Sequence, residues 1–153
     1  MSSSTKVQSD QLTRLVNGVI TSTQTIIPIE QSIEKPELLR VVTIEFGVLI
    51  GFTGDIKGRL IFKGQPTIFS AIGEKMFGMP IGEEMLISFA GELGNMISGN
   101  LATVISEQGI TTDITSPTIL QGNSKLAGFT KAINVNVLLS EIGVFQIVLL
   151  LDL

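Results

Sequence analysis

The sequence predicts an α+β fold, with a largely antiparallel sheet packed with two long helices. Three observations carry that reading. Val41 to Phe52 is rich in strand formers, and Ile56 to Phe62 follows it after Thr53-Gly54-Asp55, which is a hairpin signal. Helical patterns precede or interrupt the strand-like segments instead of alternating with them one for one. The final segment, Val144 to Leu151, is apolar almost throughout, as a central strand covered on both faces must be.

Each element has its own signal. Residues 1–7 are polar and expected to be frayed. From Asp10, a candidate N-cap, to about Ile26, the positions Leu12, Leu15, Val16, Val19 and Ile20 recur at helical spacing. Pro28 and Pro36 bracket an acidic connector expected to be irregular. After the hairpin, Pro66 opens a short helix through Phe77, which Gly78 and Pro80 close. A long helical pattern runs from about Gly82 to Gln108 and stops at Gly109. Strand-like segments follow at Ile114–Leu120, Ala132–Leu139 and Val144–Leu151. In the second of these Ile133, Val135 and Val137 alternate with Asn134 and Asn136, so one face there is expected to be wet. No linker or low-complexity tract divides residues 1–153, so one domain is expected.

Composition removes most chemistries. The chain has no Cys and no His, hence no disulfide, no thiolate nucleophile, no Ser-His-Asp arrangement and no His-ligated metal. Asp55 and Asp152 lack spaced acidic companions, so no metal site of its own is expected. The net charge is −4 with no basic block, a poor match to nucleic acid or to an anionic membrane. Mean hydropathy is high, +0.48, yet the uncharged stretch Leu15 to Ile29 is too short for a membrane span and carries Asn17 among Thr and Ser. Met1-Ser2-Ser3-Ser4-Thr5-Lys6 lacks the basic-then-apolar order of a signal peptide, so a cytoplasmic address is expected. The spare hydrophobicity points to a sheet buried on both faces, a subunit interface, or both. Met76, Met79 and Met85 read as core or interface filler.

The long helix sorts into two faces. Met85, Phe89, Leu93, Met96, Ile97, Leu101, Val104 and Ile105 step by threes and fours as a core stripe. Glu84, Ser88, Glu92, Asn95, Gly99, Ala102 and Ser106 form a second row, polar or small throughout. Gly91, Gly94 and Gly99 each cost this helix about 0.5–1 kcal/mol relative to Ala. Two explanations are open: close packing of a neighbouring element of the same domain, or a partner pressed onto the face around Glu92 and Asn95.

Ser88-Phe89-Ala90-Gly91-Glu92-Leu93-Gly94-Asn95, continuing through Ser98-Gly99 and followed by Pro117, resembles the signature of the CheC/CheX/FliY class of chemotaxis phosphatases. That signature is an Asp or Ser, a Glu four residues on, an Asn three further, and a later proline. A bare Glu-x-x-Asn is common, whereas the combination is specific. The stretch Gly91 to Gly122 resembles CheX most. The resemblance implies a CheC/CheX-like fold, a homodimer, and as substrate the phosphoaspartate of a CheY-like response regulator. It implies Asn95 as the group that positions the attacking water and Glu92 as the partner of the receiver's active-site lysine. The divalent metal, Mg2+, would come with the regulator. Ser88 would be local support or an edge contact, and Pro117 would shape the strand entry near the helix.

CheC-type members carry the signature on two helices. Here Arg14-Leu15-Val16-Asn17 matches the offsets of Glu92-Leu93-Gly94-Asn95, but Arg14 stands where a glutamate is needed, so one site is expected. Two rival readings remain: a non-catalytic module of the same fold that binds response regulators, and an oligomeric structural component like the flagellar-switch members. Turnover separates the first rival from a phosphatase.

Overall fold

The computed structural model describes residues 2–153, with side chains from Ser9 onward. Its elements are, in chain order, α1 (Ser2–Ile26), β1 (Gln31–Ile33), β2 (Glu37–Leu39), β3 (Val42–Gly54), β4 (Gly58–Lys63), α2 (Pro66–Phe77), α3 (Glu83–Ser106), β5 (Thr112–Ile114), β6 (Thr118–Leu126), β7 (Lys131–Leu139) and β8 (Gly143–Leu151). The strands form one eight-stranded sheet in the order β1-β7-β8-β4-β3-β5, with β2 also on β7 and β6 also on β3. Every pairing is antiparallel. The α+β expectation stands.

The helices lie on one face of the sheet. Leu15 and Val19 of α1, Phe69 and Ile72 of α2, and Phe89, Leu93, Ile97, Leu101 and Ile105 of α3 share a core with Val48, Ile50, Phe62, Val135, Ile147 and Leu149. Each such side chain, fully buried, contributes about 1.5–3 kcal/mol. The other face carries a smaller core of Val42, Ile44, Ile61, Ala132, Val148 and Leu150, against which Leu126 and Phe129 pack. Phe129 belongs to the crossing from β6 to β7, and Arg59 of β4 ties that crossing down by donating to the Ala127 carbonyl at 2.7 Å. β8 therefore alternates between two cores, which explains an apolar strand without invoking a partner.

Several boundaries differ from expectation. Helix α1 starts at Ser2, so residues 2–7 are helical where fraying was expected; Met1 lies outside the described residues. Once Leu15 and Val19 dock, adding a polar turn costs little, because propagation lacks the penalty of nucleation. The strand expected over Ile114–Leu120 is two strands, β5 and β6, parted at Thr115-Ser116-Pro117. Proline has no ladder donor and restricts the residue before it. Thr115 bridges the break: its N–H donates to the Gly51 carbonyl at 2.9 Å, and its hydroxyl accepts from Gly51 N–H at 2.8 Å. The acidic connector is likewise not irregular, since β1 and β2 both pair with β7 around Pro36.

That covering also changes the polar face of β7. Asn134 is only 2% exposed, donating to Asn136 Oδ1 at 2.9 Å and to Glu37 Oε1 of β2 at 3.3 Å. The alternation is as read, but at Asn134 this face is buried rather than wet, while Asn136 is half-buried. Gly78 closes α2 as expected, at φ 74° with its N–H on the Glu74 carbonyl. No helix among the described residues is long and apolar enough to cross a membrane.

The order of elements repeats: a long helix, a strand pair broken at a proline, and a hairpin, first as α1, β1–β2, β3–β4 and again as α3, β5–β6, β7–β8. Each half lends its broken strand pair to the long strand of the other half, β7 or β3. Helices α1 and α3 pack directly, at Gly18, where a Cβ would stand 2.7 Å from Leu101 Cδ1.

Candidate active site

Helix α3 is set by its inner face. Phe89, Leu93, Ile97, Leu101 and Ile105 are buried, while Met96 and Val104 are half-buried. Met85, expected in the same stripe, is 55% exposed. It sits one turn before the helix meets the core at Phe89, so nothing covers it. Glu83 and Glu84 occupy the first turn, where the helix dipole favours negative charge.

With the inner face fixed, the helical period turns the second row outward. Glu84, Ser88, Glu92 and Asn95 are all exposed, and Gly99 and Ala102 are half-buried. Ser88, Glu92 and Asn95 line an open groove of about 530 Å³ whose other wall is Ile114, Thr115, Ser116, Pro117 and Ile119. Every residue of the Ser-Glu-Asn-Pro pattern is thus brought to one place. Asp10–Arg14 is the one salt bridge among the described residues, so Glu92 has no cationic partner among them. A carboxylate and an amide, one turn apart and facing outward, can meet a cation and hold a water brought by a partner.

The glycines divide between the two explanations left open. A Cβ on Gly94 would stand 3.0 Å from Val48 Cγ1 and 3.2 Å from Phe62 Cδ2, so Gly94 lets α3 settle onto β3 and β4. Gly91 faces Pro117 and Ile119 at 3.6–3.7 Å, and Gly99 faces nothing within 4 Å. Internal packing accounts for Gly94.

Sequence reasoning did not single out Thr115 and Ser116. The signal was present, a Thr-Ser pair directly before Pro117, but the ladder bonds to Gly51 depend on β3 lying alongside. Helix α1, which carries Arg14 and Asn17, is also informative. Asn17 is exposed and lines a smaller groove with Pro36, Glu37 and Leu38, the counterpart of the Asn95–Pro117 groove in the other half. Arg14 is tied back, its Nε 3.1 Å from Asp10 Oδ2 and its Nη1 donating to the Gln108 carbonyl at 2.9 Å. That helix offers no carboxylate at the position of Glu92. Among the described residues no group of three or more carboxylates could hold a metal ion.

Comparison with known proteins matches residues 46–137 to the family described as chemotaxis phosphatase CheX. The chain is 34% identical over 118 residues to the CheY-P phosphatase CheX of Thermotoga maritima, covering 71% of this chain and 76% of that protein. Its fold is similar to a CheC-like superfamily protein of Shewanella sp. PV-4, with a TM-score of 0.74, 23% identity, and 92% and 96% of the two chains covered. It is equally similar to a chain of the CheX–CheY–BeF3–Mg2+ complex of Borrelia burgdorferi, with a TM-score of 0.76, 18% identity and coverage of 93% and 97%. The class is therefore that of the CheC-like fold, built here around an outward-facing Ser-Glu-Asn helix. Within it, the chain belongs to the CheX family of chemotaxis phosphatases.

Proposed function

We propose that the chain, acting as one cytoplasmic domain and as a homodimer, hydrolyses the phosphoaspartate of a CheY-like response regulator. The observation that carries the reading is the groove in which Glu92, without an ion-pair partner among the described residues, and the exposed Asn95 face the Pro117 segment. The relative in Thermotoga maritima, named a CheY-P phosphatase, and the Borrelia burgdorferi complex of CheX with CheY support the choice of partner.

An acyl phosphate already has a good leaving group, so the enzyme need supply no nucleophile. It must hold one water in line with phosphorus. Asn95 does this with a neutral amide that both donates and accepts, and so tolerates anionic oxygens. Glu92 pairs with the receiver's lysine and sets the register of α3 in the receiver's site. Ser88 has no base to activate it and supports the edge of the groove. Mg2+ is supplied by the regulator and neutralises phosphoryl oxygens. The second copy has a place to dock: β6 pairs with β3 alone, leaving nine residues of strand edge open.

Phosphate release from an autophosphorylated CheY receiver, with and without this protein, tests the reading. Faster release that disappears on chelating Mg2+ supports it. Binding without faster release would make the chain a docking module. Light scattering that shows only a 16.4 kDa species would remove the homodimer.

A further inference from the structure

We propose that the cavity where β4 leaves the sheet binds a small organic phosphate monoester, with the Lys63 ammonium on its phosphate. The inference is independent of the roles given to Glu92 and Asn95. The cavity, of about 480 Å³, is lined by the start of β3, the turn from β4 into α2, the second half of β6, and Gln146 of β8. It shares no residue with the groove of Ser88, Glu92 and Asn95.

The strands leave this space open. β4 pairs with residues 47–52 of β3 and then turns away to start α2 at Pro66. β3 runs on to Val42, so over residues 43–45 β4 no longer covers its edge. Lys63, the last residue of β4, reaches back along that edge, and its Nζ donates to the Thr43 carbonyl at 2.9 Å. The opposite edge is irregular at the same level. Ile44 pairs with Ser124 and Phe46 with Gln121, which leaves Glu45, Gly122 and Asn123 out of register. Gly122 takes φ 82° there, a conformation open to glycine. Bulges of this kind re-aim side chains and are common beside active sites.

The chemistry of the lining selects an anion. Lys63 is half-buried and has no ion-pair partner among the described residues. An ammonium carries three donors, and with one on Thr43 two remain for a ligand. Glu45 also lines the cavity, but it is exposed and pairs with neither Lys63 nor Lys125. Desolvation without a counter-ion lowers the Lys63 pKa, and an anion in the cavity would offset that cost. Gln146 stands directly opposite Lys63 in the β4–β8 ladder. Its Nε2 donates to Asn136 Oδ1 at 3.0 Å, and Asn136 Nδ2 donates in turn to Glu34 Oε1 at 3.0 Å. Cation and amide are thus held in place before a ligand arrives, which reduces the ordering cost of binding. The lining has no arginine, whose planar fork matches a carboxylate. Ammonium and amide groups set on separate strands suit the divergent oxygens of a phosphate instead. The volume falls within the range of about 300–1,000 Å³ typical of small-molecule sites, which leaves room for an organic body beside Pro66.

The test is titration of the full chain with glucose 6-phosphate, adenosine monophosphate and inorganic phosphate, with glucose and succinate as controls, followed by calorimetry and by backbone amide shifts. At least one of the two esters should bind saturably and more tightly than inorganic phosphate, and the comparison of the two identifies the organic body. The shifts should centre on residues 43–46, 63–65 and 122–125, and glucose and succinate should produce none. Lys63→Met should weaken binding about tenfold or more, as loss of a charged hydrogen-bonding group does. Lys125→Gln, at an exposed position, should weaken it by a smaller factor and decides the matter if Lys63→Met fails to fold. Absence of saturable binding by both esters overturns the proposal. So do shifts confined to the Glu92–Asn95 groove, equal binding of succinate, or an affinity that neither variant changes.

Discussion

Gly91 lies against Pro117: a Cβ built at Gly91 would stand 3.7 Å from the Pro117 Cβ. Helix α3 and the break between β5 and β6 are thus the two walls of one groove, which Glu92 and Asn95 line. The proline does not need to touch substrate to matter. By ending β5 it opens the groove, and Thr115 fixes the opening through its two hydrogen bonds to Gly51.

Asn95→Ala should lower kcat for a phosphorylated receiver by about 10²-fold or more, as loss of a positioning group does. Binding to the beryllofluoride-charged receiver should weaken only modestly. Steady-state hydrolysis and a binding isotherm measure the two. Near-normal hydrolysis would move the catalytic assignment to Glu92 acting as a base.

Glu92→Ala should cost binding as well as turnover, by about 2–5 kcal/mol where the ion pair with the receiver is desolvated. Thermal unfolding should be unchanged, because the side chain is exposed and makes no ion pair among the described residues. An unaltered dissociation constant would dismiss the docking role.

The two glycines nearest in type should respond with opposite signs. Gly94→Ala forces a methyl to within 3.0 Å of Val48 and should destabilise by about 1–3 kcal/mol. Gly99→Ala meets nothing within 4 Å and should stabilise the helix by about 0.5–1 kcal/mol. Urea denaturation of both variants decides it, and equal signs would refute the assignment of Gly94 to internal packing.

Burial lowers the pKa of the Lys63 ammonium from its ordinary 10.5, while Nζ donates to the Thr43 carbonyl at 2.9 Å. Between that lowered value and 10.5 the unfolded chain binds more protons than the folded one, so stability rises with pH in this window. The stability of the unmodified protein relative to Lys63→Met should therefore rise from neutral pH toward 10.5. Guanidinium denaturation at several pH values measures it, and a flat or falling difference would refute the desolvation.

The short-range period of 3.6 was enough to sort α3: burying Leu93 and Ile97 turns Glu92 and Asn95 outward, whatever the rest of the chain does. The hairpin β3–β4, the Pro66 start and the Gly78 end of α2 are equally local, because turn and cap residues act on their immediate neighbours. By itself the sequence therefore determined the α+β class, the exposed polar row and the residues to examine within it. Tertiary structure decided what depends on partners distant along the chain. Only the core shows that Met85 overhangs it, that Gly94 is pressed by Val48 while Gly99 is free, and that Asn134 is sealed under Glu37. The repeat of helix, proline-broken strand pair and hairpin is likewise invisible until β1 and β2 find β7 while β5 and β6 find β3. Strand pairing between halves joins residues as far apart in the chain as Gln31 and Leu139, and no local pattern encodes it.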